Sequence, residues 1–182
     1  MAIAYGASDR TFYLSGGDVS YVLHVDENGS LMNLYWGERI ADGSLRPSLG
    51  DYPGNASFDL QANHLPWELP TRGSGWYGTP AVSAVNAAGD DVVVLKYAAH
   101  EIYAGKRPLA GLPATYVEDD AEADSLEIRL EDPLTGLRVT ACYTVFASTG
   151  AIARSLRLEN AGGKALSLNG VLPASVPLWG KE

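Results

Sequence analysis

The sequence predicts an all-β protein, folded as an antiparallel β-sandwich of two sheets. Apolar and polar residues alternate with a period of two along most of the chain. Turn sequences rich in Gly, Asn, Asp and Pro interrupt this alternation roughly every eight to twelve residues. Many short strands joined by tight turns are typical of a sandwich, in which each sheet buries one face against the other.

The first predicted strands lie within residues 11–40, TFYLSGGDVSYVLHVDENGSLMNLYWGERI. This stretch indicates three strands, separated by a Gly-Gly-Asp turn and by a Glu-Asn-Gly-Ser turn. Asn-Gly favours a tight hairpin because Gly adopts a positive φ without steric cost. Tyr21, Leu23 and Val25 share one face of the middle strand, so we expect that face to be covered.

The rest of the sandwich is predicted from six further alternating segments, each bounded by Gly, Pro, Asn or Asp. These segments are residues 81–87, 91–105, 124–132, 137–147, 151–162 and 165–175.

Residues 43–80 interrupt the strand pattern. This segment is rich in Pro and Gly and has no sustained periodicity, so a long regular strand is not expected there. Long ordered loops are often functional, and this one contains Trp67, Trp76 and Tyr77, whose rings are of the kind on which sugars stack. The alternative is that these rings pack on the edge of the sandwich.

Charge and hydropathy exclude several classes of function. The formal net charge of −9 and the pI of about 4.7 argue against a nucleic-acid partner, which requires clustered Lys and Arg. The apolar runs are too short to span a membrane, and the first residues do not resemble a signal peptide. Cys142 is the only cysteine, and its apolar neighbours suggest a small core residue. We therefore expect a cytoplasmic protein.

An acidic cluster precedes and enters the strand predicted at 124–132. A calcium loop of the EF-hand type needs a central Gly, which the run EDDAEADSLE lacks, and an exposed turn cannot keep a catalytic acid protonated. A solvated rim is therefore favoured, although the rim could also contact basic residues of a neighbouring subunit. The cluster consists of Glu118, Asp119, Asp120, Glu122, Asp124 and Glu127.

Other site chemistries find little support in the sequence. His24, His64 and His100 are far apart and lack the paired spacing of metal ligands. The Gly-Ser-Gly at 73–75 is not flanked by the strand and helix that a nucleophile elbow requires. We expect neither a metal site nor a cofactor.

Three stretches carry a family resemblance. They are SYVLHVDENGSLMNLYWGERI at 20–40, LPTRGSGWYGTPAV at 69–82, and the long segment at 105–162 that begins GKRPLAGLPATYVED and ends ARSLRLENAG. In this order they resemble the N-terminal domain of family 36 glycoside hydrolases, the α-galactosidases.

The resemblance implies a galactose-mutarotase-like supersandwich that precedes a catalytic (β/α)₈ barrel and a C-terminal β domain. On this basis residues 1–182 are the N-terminal domain of a larger enzyme, and the barrel, which carries both catalytic aspartates in the family, is absent from this chain. No catalytic residue is assigned here. The expected partners are the enzyme's own barrel, further copies in a homo-oligomer, and α-galactosides at the mouth of the active site.

The family also suggests how this domain reaches a substrate. In tetrameric members, a loop of one subunit's N-terminal domain supplies an Asp and an Arg near the galactose pocket of another. The corresponding loop here, residues 49–66, is shorter and lacks the Arg, so Asp51 is the best remaining acid, with Trp67, Trp76 and Tyr77 as further entrance residues. Two functions stay open: a non-catalytic domain that shapes the entrance of an α-galactosidase for melibiose or raffinose, and an autonomous carbohydrate-binding module.

Overall fold

The protein is built from antiparallel β-strands, as the sequence predicts. The structure is a computed structural model that describes residues 2–45, 65–111 and 113–175. Within these residues the strands are β1 (Ile3–Gly6), β2 (Thr11–Gly16), β3 (Val19–Val25), β4 (Leu31–Glu38), β5 (Val82–Asn86), β6 (Lys96–Ala104), β7 (Ala123–Glu131), β8 (Leu137–Phe146), β9 (Ala151–Asn160) and β10 (Leu166–Val171).

Two four-stranded sheets form the sandwich. One has the order β1-β2-β3-β4 and the other the order β6-β7-β8-β9, so each strand pairs with the next one along the chain. A separate two-stranded ribbon joins β5 to β10. The described part of the chain contains no helix that is long and apolar enough to cross a membrane.

The core lies between the inward faces of the two sheets. The period-two pattern of β3 directs Tyr21, Leu23 and Val25 into this core, as predicted, and the same pattern in β7 and β8 supplies the opposite wall. The wall residues contributed by β7 and β8 are Leu126, Ile128, Leu130, Leu137, Val139, Ala141, Tyr143 and Val145.

Glycines allow two tight features that hold the sheets together. Gly29 closes the predicted β3–β4 hairpin with φ of 78°, and its amide donates to the carbonyl of Asp26 at 3.0 Å. The β2–β3 and β8–β9 turns meet at Gly150, where a Cβ atom would lie 2.7 Å from the carbonyl oxygen of Gly16. Any larger residue at position 150 would force these turns apart.

Two features of the strand pattern differ from expectation. The short strand β1 was not predicted, since four residues are too few to show an alternation. The strand predicted from residue 91 begins only at Lys96, so the prediction is wrong for residues 91–95. The buried Val93 instead offers its carbonyl oxygen to the Thr71 hydroxyl at 2.6 Å and to the Gly73 amide at 3.2 Å. Residues 91–95 therefore form hydrogen bonds with the segment at 65–81 and hold it in place.

Candidate functional site

The aromatic segment at residues 65–81 is the candidate functional site, and backbone hydrogen bonds fix its first residues to the edge of β4. The Asn33 amide donates to the Pro66 carbonyl at 2.7 Å, and the Glu68 amide donates to the Leu31 carbonyl at 3.0 Å. Trp67 lies between these bonds and forms an antiparallel bridge with Met32. The beginning of the segment is therefore held against the edge of the first sheet by a single isolated bridge.

The side chain of Glu68 anchors this segment in the core. Its carboxylate is fully buried and accepts hydrogen bonds from Tyr21 at 2.6 Å, Asn33 at 3.2 Å and Tyr143 at 2.6 Å. The guanidinium of Arg154 completes the set with an ion pair to the same carboxylate and donates to the Tyr21 hydroxyl at 2.9 Å. Because Tyr21 belongs to β3 and both Tyr143 and Arg154 belong to the other sheet, one carboxylate links the two sheets to the candidate site.

The electrostatics of this cluster match a structural role. Burial, together with the Glu68 carboxylate, raises the pKa of the Tyr21 and Tyr143 hydroxyls, so both remain protonated donors. Burial alone would lower the pKa of Arg154, but the Glu68 charge and the two tyrosines raise it above its ordinary value. A glycosidase requires two carboxylates on either side of a sugar, about 5–5.5 Å apart in a retaining enzyme. Glu68 is a single buried carboxylate with every partner a donor, so it serves as an anchor.

The three aromatic residues predicted for the substrate entrance lie at different depths. Trp67 lines a hollow of about 280 Å³, between this segment and the β3–β4 turn, which neither Trp76 nor Tyr77 lines. Trp76 is half-buried; its indole nitrogen donates to the Thr79 carbonyl at 3.3 Å, and a Cβ atom at Gly78 would lie 2.7 Å from that nitrogen. Tyr77 is 87% exposed. Tyr77 thus lies at the surface next in sequence to the half-buried Trp76, whereas Trp67 lines a hollow that neither of them lines.

The fourth predicted entrance residue, Asp51, lies outside the described residues, as does most of the loop at 49–66.

The acidic cluster is exposed at its beginning, as the rim interpretation expects. Glu118 and Asp120 are exposed, and Asp119 and Glu122 close a capping box around the short 3₁₀ helix Asp120–Glu122. Asp119 accepts from the Ala121 amide at 2.8 Å, and Glu122 accepts from the Asp119 amide at 3.1 Å. These acids order a turn. Within the described ranges, no three His, Cys, Asp or Glu side chains converge as ligands for a metal ion.

The end of the cluster departs from that interpretation. Asp124 is half-buried and accepts a hydrogen bond from the backbone amide of Ala2. Glu127 is only 8% exposed, so the expectation that it is a solvated rim residue is wrong. Arg107 and Arg157 reach over the outer face of the sheet and bond to the Glu127 carboxylate at 3.2 and 2.7 Å, which shields it from solvent.

The structure also shows the surroundings of Cys142 and His100. Cys142 is half-buried on the outer face of β8, in register with Glu127 and Ser155, and does not lie in the core as expected. The ring of His100 packs against Tyr5 and Phe12, with centroids 4.3 and 4.9 Å away. Burial lowers the pKa of His100, which is consistent with a ring that packs against its neighbours.

Sequence reasoning missed Glu68 and Arg154, although a signal for each exists. Glu68 stands in the run Leu-Pro-Trp-Glu-Leu-Pro, where every neighbour is apolar or a proline. Arg154 alternates in step with the apolar residues Ile152, Leu156 and Leu158 of β9, so the period of two already places this charge on the core face. Two opposite charges at buried positions predict an ion pair.

The comparison with protein families decides the identity of this fold. The family model described as "Glycosyl hydrolase family 36 N-terminal domain" matches residues 29–182, which include the candidate segment and the wall of the core formed by β7 and β8. The chain belongs to this family. The resemblance drawn from the three sequence stretches is confirmed, and with it the all-β fold class.

Individual members of the glycosyl hydrolase family 36 agree with this assignment. Alpha-galactosidase AgaA of Geobacillus stearothermophilus is 37% identical over 97% of this chain. The crystal structure of the alpha-galactosidase AgaB from the same organism superposes with a TM-score of 0.88 at 39% identity and covers 97% of this chain. A variant of AgaA crystallised in complex with raffinose superposes with a TM-score of 0.80 at 38% identity over 91% of this chain.

This family 36 chain spans about a quarter of the length of these relatives, 25% of AgaA by sequence and 25% and 24% of the two crystallised chains.

Proposed function

We propose that the chain is the non-catalytic N-terminal domain of a retaining α-galactosidase that removes terminal α-galactosyl residues from galacto-oligosaccharides of the melibiose and raffinose type. The family match over residues 29–182 carries this proposal. The AgaA variant bound to raffinose supports the substrate class. The domain packs against the catalytic barrel, takes part in subunit assembly and shapes the entrance to the active site.

The anchored segment supports the role at the entrance. Glu68 ties the beginning of this segment to both sheets, and hydrogen bonds from Thr71 and Gly73 to Val93 fix the backbone shortly before Trp76 and Tyr77. Aromatic side chains held in this way can contact the sugar units of an oligosaccharide that extend beyond the cleaved galactose. Such contacts contribute to binding of the long substrate and leave the chemical step unchanged.

A substrate-length comparison in the full-length enzyme tests this role. We expect Tyr77→Ala to raise KM for raffinose several-fold while kcat and the kinetics on an aryl α-galactoside stay the same. Tyr116→Ala, which removes another exposed tyrosine outside this segment, is the matched control. Equal KM values for raffinose in the parent and in Tyr77→Ala would contradict the entrance role.

The chain by itself is expected to be inactive, because the proposal places the nucleophile and the acid/base in the barrel. Incubation of the purified 182-residue chain with an aryl α-galactoside should release no more aglycone than a buffer blank. Turnover that persists through repeated purification would refute the assignment of catalysis to the barrel.

The role in assembly is supported by apolar side chains on and after β10. Leu168, Val171 and Leu172 are exposed, which is unfavourable unless another surface covers them. We expect the chain alone to associate as its concentration rises, and Leu168→Ser with Leu172→Ser to weaken that association. Sedimentation of a strict monomer at high concentration would argue against this role. The cytoplasmic location remains a prediction.

The exposure of Tyr77 beside Trp76 also suits the alternative function, an autonomous carbohydrate-binding module. Calorimetric titration of the chain with galactose, melibiose and raffinose separates the two functions. A module binds with millimolar affinity that Trp76→Ala abolishes, whereas an entrance domain separated from its barrel gives no saturable binding.

A further inference from the structure

A basic hollow lies on the outer face of the β6–β9 sheet, far in sequence from the candidate segment. It has a volume of about 300 Å³ and lies between the outer residues of β7, β8 and β9 and the chain that follows β6. Four cationic residues line it, together with the carboxylate of Glu127; they are Lys106, Arg107, Arg157 and Arg154, the last of which is paired with Glu68. The net charge of the whole chain is −9, so this grouping of cations runs against the overall balance.

The anions at this hollow are already neutralised. Arg107 binds both oxygens of Glu101, at 2.7 and 3.0 Å, and reaches Glu127 at 3.2 Å. Arg157 donates to the other oxygen of Glu127 at 2.7 Å, and the hydroxyl of Tyr103 donates to Glu127 at 3.0 Å. Burial raises the pKa of Glu127, but these donors more than compensate and hold it below its ordinary value. Glu127 therefore stays ionised and fully engaged.

Lys106 is the cation of the hollow that takes no part in this network of ion pairs. Its Nζ atom is shielded from solvent and has no hydrogen-bond partner within the described ranges. Placing an ammonium group out of water without a partner costs free energy, and a pair with an anion offsets that cost. Glu127, the carboxylate that lines the hollow, and the neighbouring Glu101 are both held by guanidinium groups. Among the described residues, no carboxylate is therefore left to balance the charge of Lys106.

We propose that this hollow binds a phosphate-type oxyanion, with the ammonium group of Lys106 as its main ligand. The charge of Arg157 is already paired with Glu127, so Arg157 can add only N–H donors, and the hydroxyl of Ser155 lies on the same wall as a further donor. The volume lies at the lower end of the range for small-molecule sites, which accommodates inorganic phosphate or the phosphate of a small sugar phosphate. The hollow has no role in the proposed galactosidase chemistry. The phosphate proposal can therefore be refuted without affecting the proposed function, and the reverse is also true.

Calorimetric titration of the 182-residue chain at constant ionic strength tests the proposal, with inorganic phosphate, a hexose 6-phosphate and the free hexose as three separate probes. We expect saturable binding of inorganic phosphate and an apparent Tm that rises with each tenfold increase in phosphate. Tighter binding of the hexose phosphate would identify a sugar phosphate as the ligand, and equal binding would identify phosphate itself. The free hexose should not bind.

Lys106→Met and Lys164→Met form the matched pair of variants, because Lys164 is an exposed lysine elsewhere on the surface. We expect Lys106→Met to weaken phosphate binding at least tenfold and Lys164→Met to leave it unchanged. Without phosphate, Lys106→Met should be at least as stable as the parent, since it removes a shielded ammonium group that has no partner among the described residues. Equal binding by both variants, or no saturable binding by the parent, would overturn the proposal.

Discussion

Replacement of Glu68 by Gln should cost far more stability than its conservative size suggests. The glutamate accepts hydrogen bonds from Tyr21, Asn33, Tyr143 and Arg154 in a site with no solvent exposure. Glutamine keeps one acceptor oxygen, turns the other into a donor that faces donors, and leaves the Arg154 charge, 13% exposed, without its counterion. Breaking a buried ion pair in this way costs about 3–5 kcal/mol.

Urea unfolding followed by tryptophan fluorescence measures this loss directly. We expect the midpoint to fall with an unchanged m value, because the surface exposed on unfolding is the same. The double variant Glu68→Gln with Arg154→Met should recover part of the loss, since it removes the uncompensated charge. Asp91→Asn, which breaks the exposed pair with Arg72, is the control and should cost less than about 1 kcal/mol. A loss for Glu68→Gln no larger than that of the control would refute the anchoring role.

Two further predictions concern the acidic turn and a histidine. Changing Asp119, Asp120 and Glu122 together to their amides should lower the unfolding free energy by no more than about 1 kcal/mol, because these exposed acids contribute only a local cap; calcium-dependent melting of the parent would contradict this. Burial lowers the pKa of His100 below its ordinary value of 6.5, so the unfolded chain takes up this proton first and stability decreases as the pH falls below about 6.5. Burial also lowers the pKa of His24, which adds to the same loss of stability at low pH. Urea midpoints measured from pH 7.5 to 5 should show this decrease, and His100→Phe should flatten it; an unchanged slope in the variant would count against a buried neutral imidazole.

The strands could be predicted from the sequence wherever one face of the strand is apolar and buried in the core. Apolar residues recur at every second position from Tyr21 to Val25 in β3 and from Leu126 to Leu130 in β7, so the core-facing side of each strand follows from the period of two. β1 is too short to alternate. Residues 91–95 have the composition of a strand, but their backbone bonds to Thr71 and Gly73 of the candidate segment. That pairing depends on distant residues, which local periodicity does not report.

The site was harder to predict than the fold, because its residues act through long-range partners. Trp76 and Tyr77 were proposed as site residues because sugars stack on aromatic rings. The sequence could not distinguish a position at the substrate entrance from packing on the edge of the sandwich. The role of Glu68 depends on residues of both sheets, which no local pattern joins. Glu127 was predicted to be a solvated rim residue, and this is wrong because Arg107 and Arg157 reach over the outer face of the sheet from elsewhere in the chain and cover it.

The β5–β10 ribbon has a consequence for the order in which the protein folds. Both four-stranded sheets consist of hairpins between neighbouring strands, so each can form as soon as its own segment is available. β5 has no such neighbour, because everything from Ala87 to Ala165 lies between it and β10. The closure of that long loop costs chain entropy, which the other sheets can reduce only after they have brought the two ends together. During synthesis β5 therefore stays unpaired until the whole second sheet and β10 have been made, and formation of the β5–β10 ribbon is expected to be the last and slowest step of folding.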